Sequence, residues 1–310
     1  MNARAASKLT GSPRLSAWLE LCRVSNLPTV WTNVLAGVAL GWVASRPATP
    51  LIISELLNHA LWLLVSASLL YSGGMVLNDV MDAGVDAEER PSRPIPSGRL
   101  SRRDAAAGAV AMLLAGWGFL LYFPVQTWFF GAALLAVIVG YDALHKRFPV
   151  ASLLMGACRG LLYLTAASTV TGMGELGPAA MMAVIATFYT ILLTIAASRE
   201  ATTGSGHPRE VALVLVATPA ILWGCVAPWR PVHWPLAGVL TAGALAWLLW
   251  AFRHAWAKPP QLKSAILAWL AAMCLFDAII LAILGLPAAA GVAVMLFVLT
   301  KLLHRVILGT

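Results

Sequence analysis

Charge is scarce in this chain. Only 11% of its 310 residues are Asp, Glu, Lys or Arg, against roughly 25% in soluble domains. Hydrophobic residues make up 60% and the mean hydropathy is +0.82, which excludes a soluble globular fold and implies an integral membrane protein. The four cysteines, Cys22, Cys158, Cys225 and Cys274, stand far apart in or beside apolar runs, so neither a zinc pattern nor a disulfide framework is present and core packing is their expected role. There is no Walker loop, dinucleotide fingerprint, Ser-His-Asp grouping, haem-attachment motif or internal repeat, which leaves motor, redox and hydrolase functions unsupported. The net charge of +8 fits the accumulation of Lys and Arg on one membrane side and attraction to anionic lipid. It gives no sign of nucleic-acid binding.

What fills the chain instead is a series of apolar runs of the length that crosses a bilayer, separated by short polar loops. Ten segments can be drawn. They run Trp18 to Ala44, Leu57 to Val80, Arg103 to Phe123, Gln126 to Leu144, Val150 to Val170, Pro178 to Ser198, Glu210 to Ala227, Trp234 to Trp256, Leu262 to Leu284 and Pro287 to Leu308. Lipid offers no partner for an open strand edge, so the expected fold is all-α: a polytopic transmembrane bundle of nine to ten helices. The first 17 residues carry Arg4, Lys8 and Arg14 without a signal-peptide core, so they read as a tail before a retained first helix, with residues 18–310 as a single domain.

Basic residues orient this bundle. The odd loops contain only Arg46 and Arg230; apart from Arg23 and Arg159 inside helices, every other Lys and Arg lies in the termini or even loops. Both termini and the even loops are therefore expected on the cytoplasmic side. By the same bias the tenth segment spans, because Lys301 and Arg305 would otherwise lie outside; a re-entrant hairpin is the competing reading.

Six of the 13 acidic residues fall between Asp79 and Asp104, at the end of the second segment. Positions four apart share a helix face, so Asn78, Asp82 and Asp86 form one stripe with Asp79 beside it if the helix persists that far. Arg90, Arg93, Arg99, Arg102 and Arg103 follow at once. Carboxylates suit Mg²⁺, and arginine supplies permanently charged, bidentate donors for phosphate oxygens. Acids and bases in a juxtamembrane loop are commonly just solvated, but the regular spacing and the run Arg90 to Arg99 directly after it favour a metal beside a multiply charged anion.

These residues resemble the first motif of the UbiA superfamily of intramembrane prenyltransferases, N-D-x-x-D-x-x-x-D followed by an R-P-[LI]-x-x-G turn. The similarity runs from about Leu15 to Leu284 and takes in Arg23, Asn26 and Thr32 in the first segment and Tyr141, Lys146 and Arg147 after the fourth. It implies a UbiA-like fold and a Mg²⁺-dependent transfer of an isoprenoid group from a prenyl diphosphate to a small aromatic or lipid-like acceptor. Asn78, Asp79, Asp82 and Asp86 would be the catalytic group. Arg23, Arg90, Arg93, Tyr141, Lys146, Arg147 and Arg199 would contact the diphosphate, and Asn78, Asp82, Asp86 and Glu200 would hold the metal.

The family's second acidic motif, D-x-x-x-D, is altered here. Ser198 and Thr202 stand in place of both aspartates, with Glu200, Arg199 and His207 nearby, a pattern similar to a divergent bacterial branch. A non-catalytic carrier of a prenyl lipid or metabolite is therefore the alternative function. Asp277 in the middle of an apolar segment is costly and either functional or hydrogen-bonded to a neighbouring helix. Arg159 either reaches the diphosphate or snorkels to the cytoplasmic edge, the latter being favoured. His59, His233, His254 and His304 read as interface residues, and His145 and His207 as members of the active-side loops. Trp31, Trp117 and Trp247 read as packing, and Pro28 and Pro219 as kinks.

Overall fold

Backbone N–H and C=O groups find no water in hydrocarbon, so a chain this apolar closes its hydrogen bonds within helices. The computed structural model describes residues 12–45, 53–144, 151–203, 209–226, 234–257 and 261–306. Among these the regular structure is helical, with no strand: α1 Pro13–Leu21, α2 Leu27–Ser45, α3 Ile53–Glu89, α4 Arg102–Leu120, α5 Val125–Leu144, α6 Ala151–Ala167, α7 Gly177–Thr203, α8 Arg209–Val226, α9 Trp234–Ala255, α10 Leu262–Ile283 and α11 Pro287–Val306. Stretches on α2, α3, α5, α7, α9, α10 and α11 are long and apolar enough to cross a membrane; α6 is apolar but shorter, at 17 residues.

Two helices form the axis of the bundle. The apolar windows of α2 and α10 are each 89% buried, whereas those of α5, α9 and α11 are 22%, 22% and 17% buried. The outer helices present Phe129, Val239 and Met295 to the surroundings. Such a surface is stable only against lipid.

The first apolar segment is not one helix. α1 ends at Leu21, Arg23 adopts a left-handed conformation with φ 45°, and a 3-10 turn over Val24–Asn26 leads into α2. Pro28 then lies in the first turn of α2, where its missing N–H removes no intrahelical bond, so it begins a helix rather than kinking one. Pro219 does lie inside α8. The expected tail also reaches less far, since Pro13 to Ala17 belong to α1. This short helix is tied down by Arg14 to Asp104 (3.0 Å) and Arg99 to Glu20 (2.8 Å), and by the Trp18 ring against Gly108. Burial pushes the Cys22 thiol up to about 11, partly offset by a hydrogen bond with Ser72, so it stays protonated and acts as packing.

The second segment is longer than its apolar run. α3 has 37 residues and, at about 1.5 Å per residue, extends about 55 Å, well beyond a hydrocarbon core of about 30 Å. Its polar end is therefore still regular helix at Asp86. Close packing elsewhere depends on small residues, as membrane helices require. A Cβ on Gly160 of α6 would stand 2.4 Å from Thr187 Oγ1 and 2.8 Å from the Ala183 carbonyl oxygen of α7. Gly160→Val is accordingly expected to destabilise the protein by about 1–3 kcal/mol, because a backbone carbonyl cannot move aside; a lower unfolding temperature in detergent measures it.

Candidate functional site

Unbroken helix through Asn78 to Glu89 fixes the side chains of the first motif on one face. Asn78, Asp79 and Asp86 are buried and Asp82 is half-buried. Carboxylates so placed need opposite charge close by, since their desolvation is otherwise uncompensated. Arg93 provides it twice, donating to Asp86 Oδ2 at 2.7 Å and to Asp79 Oδ1 at 3.3 Å. Arg23 donates to the same Asp79 oxygen at 3.4 Å. The left-handed residue between α1 and α2 is thus also the one that reaches the acidic stripe, and strain of this kind, about 1–3 kcal/mol for a non-glycine residue, gathers at functional sites.

The segment after α3 folds back beneath it. Backbone bonds run from Arg93 N to Arg90 O, Ser97 N to Arg93 O and Leu100 N to Pro94 O, and Gly98 takes φ 74°, which a side chain would oppose. Arg99 donates to the Ser92 carbonyl and to Glu20, and Arg102 Nε donates to the Val80 carbonyl. Arg93 is turned into the cluster, whereas Arg90 is exposed.

One member of the cluster escaped the sequence reading. Asp142, buried near the end of α5, accepts a hydrogen bond from Asn78 Nδ2 at 3.2 Å. Its neighbour Tyr141 has Asp142, Arg23 and Asp82 within electrostatic reach, so α5 closes the site opposite α3. The available signal was an ionisable residue at the end of an apolar run. Lys146 and Arg147 lie outside the described residues, as do His145 and His207; Arg199 and Glu200 lie on α7, but their side chains are outside the described set.

The donors gathered here are carboxylate and amide oxygens, the set a hard divalent cation takes. Among the described residues no three Asp, Glu, His or Cys side chains converge as a closed metal cage. Mg²⁺ rarely uses one, being held by one or two carboxylates together with substrate phosphates.

The model of the UbiA prenyltransferase family matches residues 30–271, well over half of the chain. The chain belongs to this family. Among its relatives, a digeranylgeranylglyceryl phosphate synthase of Methanothrix thermoacetophila is 35% identical over 189 residues, 59% of this chain and 62% of the synthase. One from Ignicoccus hospitalis is 34% identical over 108 residues, covering 35% of this chain and 32% of that protein. The chain thus spans about a third to three-fifths of these two curated relatives. Among solved structures, the apo form of a UbiA homologue from Aeropyrum pernix K1 superposes with a TM-score of 0.64 at 16% identity, covering 86% of this chain and 96% of that one. A UbiA homologue from Archaeoglobus fulgidus bound to DMAPP and Mg²⁺ gives 0.51 at 16% identity, over 85% and 98%. These likenesses fix the UbiA-like fold.

A second polar cluster lies deeper in this UbiA bundle, between α2, α6 and α10. Asp277, fully buried, accepts a 2.7 Å bond from Asn33 Nδ2 and a short one from the Tyr163 hydroxyl. Arg159 donates to Asn33 Oδ1 at 2.7 Å and to Thr29 Oγ1 at 2.9 Å. Its side chain therefore points into the bundle and does not snorkel to the edge, because Asn33 and Thr29 offer it acceptors there. His304 is likewise drawn inward, its Nε2 lying 2.7 Å from Asn26 Oδ1, rather than sitting free at the interface. Trp31 and Trp247 are packed, donating to Ser68 Oγ and the Ala268 carbonyl, as expected. Because Arg159 donates to Asn33 and Thr29 and places positive charge near the buried Asp277, Arg159→Met is expected to destabilise by about 1–3 kcal/mol, chiefly by leaving buried acceptors without a donor. The Arg159→Met/Asp277→Asn double variant should recover part of that loss, read as unfolding temperatures in a double-mutant cycle.

Proposed function

We propose that this protein is a Mg²⁺-dependent prenyltransferase that moves an isoprenoid group from a prenyl diphosphate to a small aromatic or lipid-like acceptor. The observation that carries this reading is the helix-borne stripe Asn78, Asp82 and Asp86, with Asp79 beside it, ringed by Arg23 and Arg93. Carboxylates and guanidinium groups in one half-buried cluster can bind a metal–diphosphate complex, in which the anion faces the arginines and the cation faces the acids. The Mg²⁺-bound and prenyl-diphosphate-bound UbiA homologues, and the relatives named digeranylgeranylglyceryl phosphate synthase, support the same class of donor.

In this reading Asn78, Asp82 and Asp86 would hold the metal, which as a Lewis acid would supply stabilisation of charge on the leaving diphosphate. Arg23, Arg90 and Arg93 hold phosphate oxygens, with Lys146, Arg147, Arg199 and Tyr141 as further contacts. The allylic C–O bond breaks, its electron pair leaves with diphosphate, and the acceptor attacks the allylic carbon and loses a proton. Buried apolar helices take up the prenyl tail, each CH₂ contributing about 0.8 kcal/mol. Acidic-stripe chemistry would then face the cytoplasm, the side on which both termini and most basic residues are expected in a bacterial inner membrane.

Purified protein given geranyl, farnesyl or geranylgeranyl diphosphate with a panel of phenolic and lipid acceptors should release diphosphate only with Mg²⁺. Chelation with EDTA should abolish release, and Asp82→Asn or Asp86→Asn should slow it at least about 100-fold, a loss of about 2.7 kcal/mol of transition-state stabilisation. Replacement of the second acidic pair by Ser198 and Thr202 favours one other reading, a carrier of prenyl lipids. Tight, metal-dependent donor binding without release would establish that reading instead.

A further inference from the structure

An asparagine side chain has two nearly equivalent ends, one donating and one accepting, and the neighbour decides which end points where. Asn78 meets Asp142. An ionised carboxylate can only accept, so the 3.2 Å contact obliges the amide to present Nδ2 to α5. Its Oδ1 must then lie on the other side of the amide, available to the face that Asn78 shares with Asp82 and Asp86. Asp142 is itself buried, on a helix that packs against α3, and Arg23 and Asp82 lie within electrostatic reach of the adjoining Tyr141. The thiol of Cys158 is a titratable neighbour on the α6 side.

We propose that Asp142 is a positioning residue of the diphosphate site: it locks the Asn78 amide so that its oxygen, not its NH₂ group, faces the metal. This role rests on the metal–diphosphate reading of the stripe. An NH₂ group turned the same way would repel a cation, so orientation decides whether Asn78 is a ligand at all. Partners that orient ligands in this manner typically change metal affinity about 10–100-fold when lost. The role also answers a feature of the sequence. With Ser198 and Thr202 in the second motif the sequence carries fewer acids, so each oxygen ligand of the first motif weighs more.

The test measures Mn²⁺ as a spectroscopic substitute for Mg²⁺, by electron paramagnetic resonance, in full-length protein saturated with geranyl S-thiolodiphosphate. Asp142→Asn can donate as well as accept, so it frees the amide to flip; Mn²⁺ affinity is expected to fall about 10–100-fold. Asn78→Ala should lose a similar amount, and the double variant should lose no more than either single one. Asp142→Glu should recover part of the affinity. Wild-type affinity in Asp142→Asn, or additive losses in the double variant, would overturn the role of Asp142 while leaving the site reading intact. Absence of Mn²⁺ binding in the wild-type protein would overturn both. Should Asp142→Asn fail to fold, Asp142→Ser makes the same comparison, with unfolding temperature as the control for structure.

Discussion

Opposite charges buried at the end of one helix set the terms for the rest of this molecule. Asp79 and Asp86 leave water when α3 packs into the bundle, and a low-dielectric surrounding tolerates them only with cations in contact. Arg93 reaches both because the segment after α3 turns back under its own helix; Arg23 reaches Asp79 because α1 and α2 are separated by a left-handed residue. Both backbone departures are thus coupled to the same electrostatic demand. Glu20 with Arg99, and Asp104 with Arg14, fasten the two ends of this arrangement to each other.

The same demand is met differently at depth. Asp277 is one of the few acids far from a membrane edge, and its donors come from two helices, Asn33 on α2 and Tyr163 on α6, with Arg159 extending the network to Asn33 and Thr29. Helices α2 and α10 form the axis of the bundle because they are the most apolar-packed, and the polar cluster lies between them. Such a cluster specifies register in a bundle whose helices otherwise present interchangeable aliphatic surfaces.

Composition and run length made the all-helical membrane fold legible, because lipid permits few other solutions. The acidic stripe was legible too, since a period of four is written directly in Asn78, Asp82 and Asp86. What could not be read was direction. Arg159 looked free to snorkel, yet Asn33 and Asp277 lie 126 and 118 positions away in sequence and draw it inward. Asp142 stood beside a residue that was noticed, Tyr141, and went unseen because its partner Asn78 lies on another helix. Pro28 was misjudged for a local reason: proline breaks a helix interior but suits its first turn, and no apolar count marks where that turn begins.

Helix α3 runs without interruption from Ile53 to Glu89, and the acidic stripe hangs from its final turns. Its oxygens are therefore spaced by helical rise, about 6 Å for every four residues, instead of by a loop that could adapt. Such a scaffold tolerates side-chain exchange far better than a change in length. Loss of one residue between Asp79 and Asp82 would swing Asp82 and Asp86 by about 100° around the axis, out of line with Asn78. Evolution of this surface is accordingly confined to point replacements, and new chemistry must be found in the facing helices.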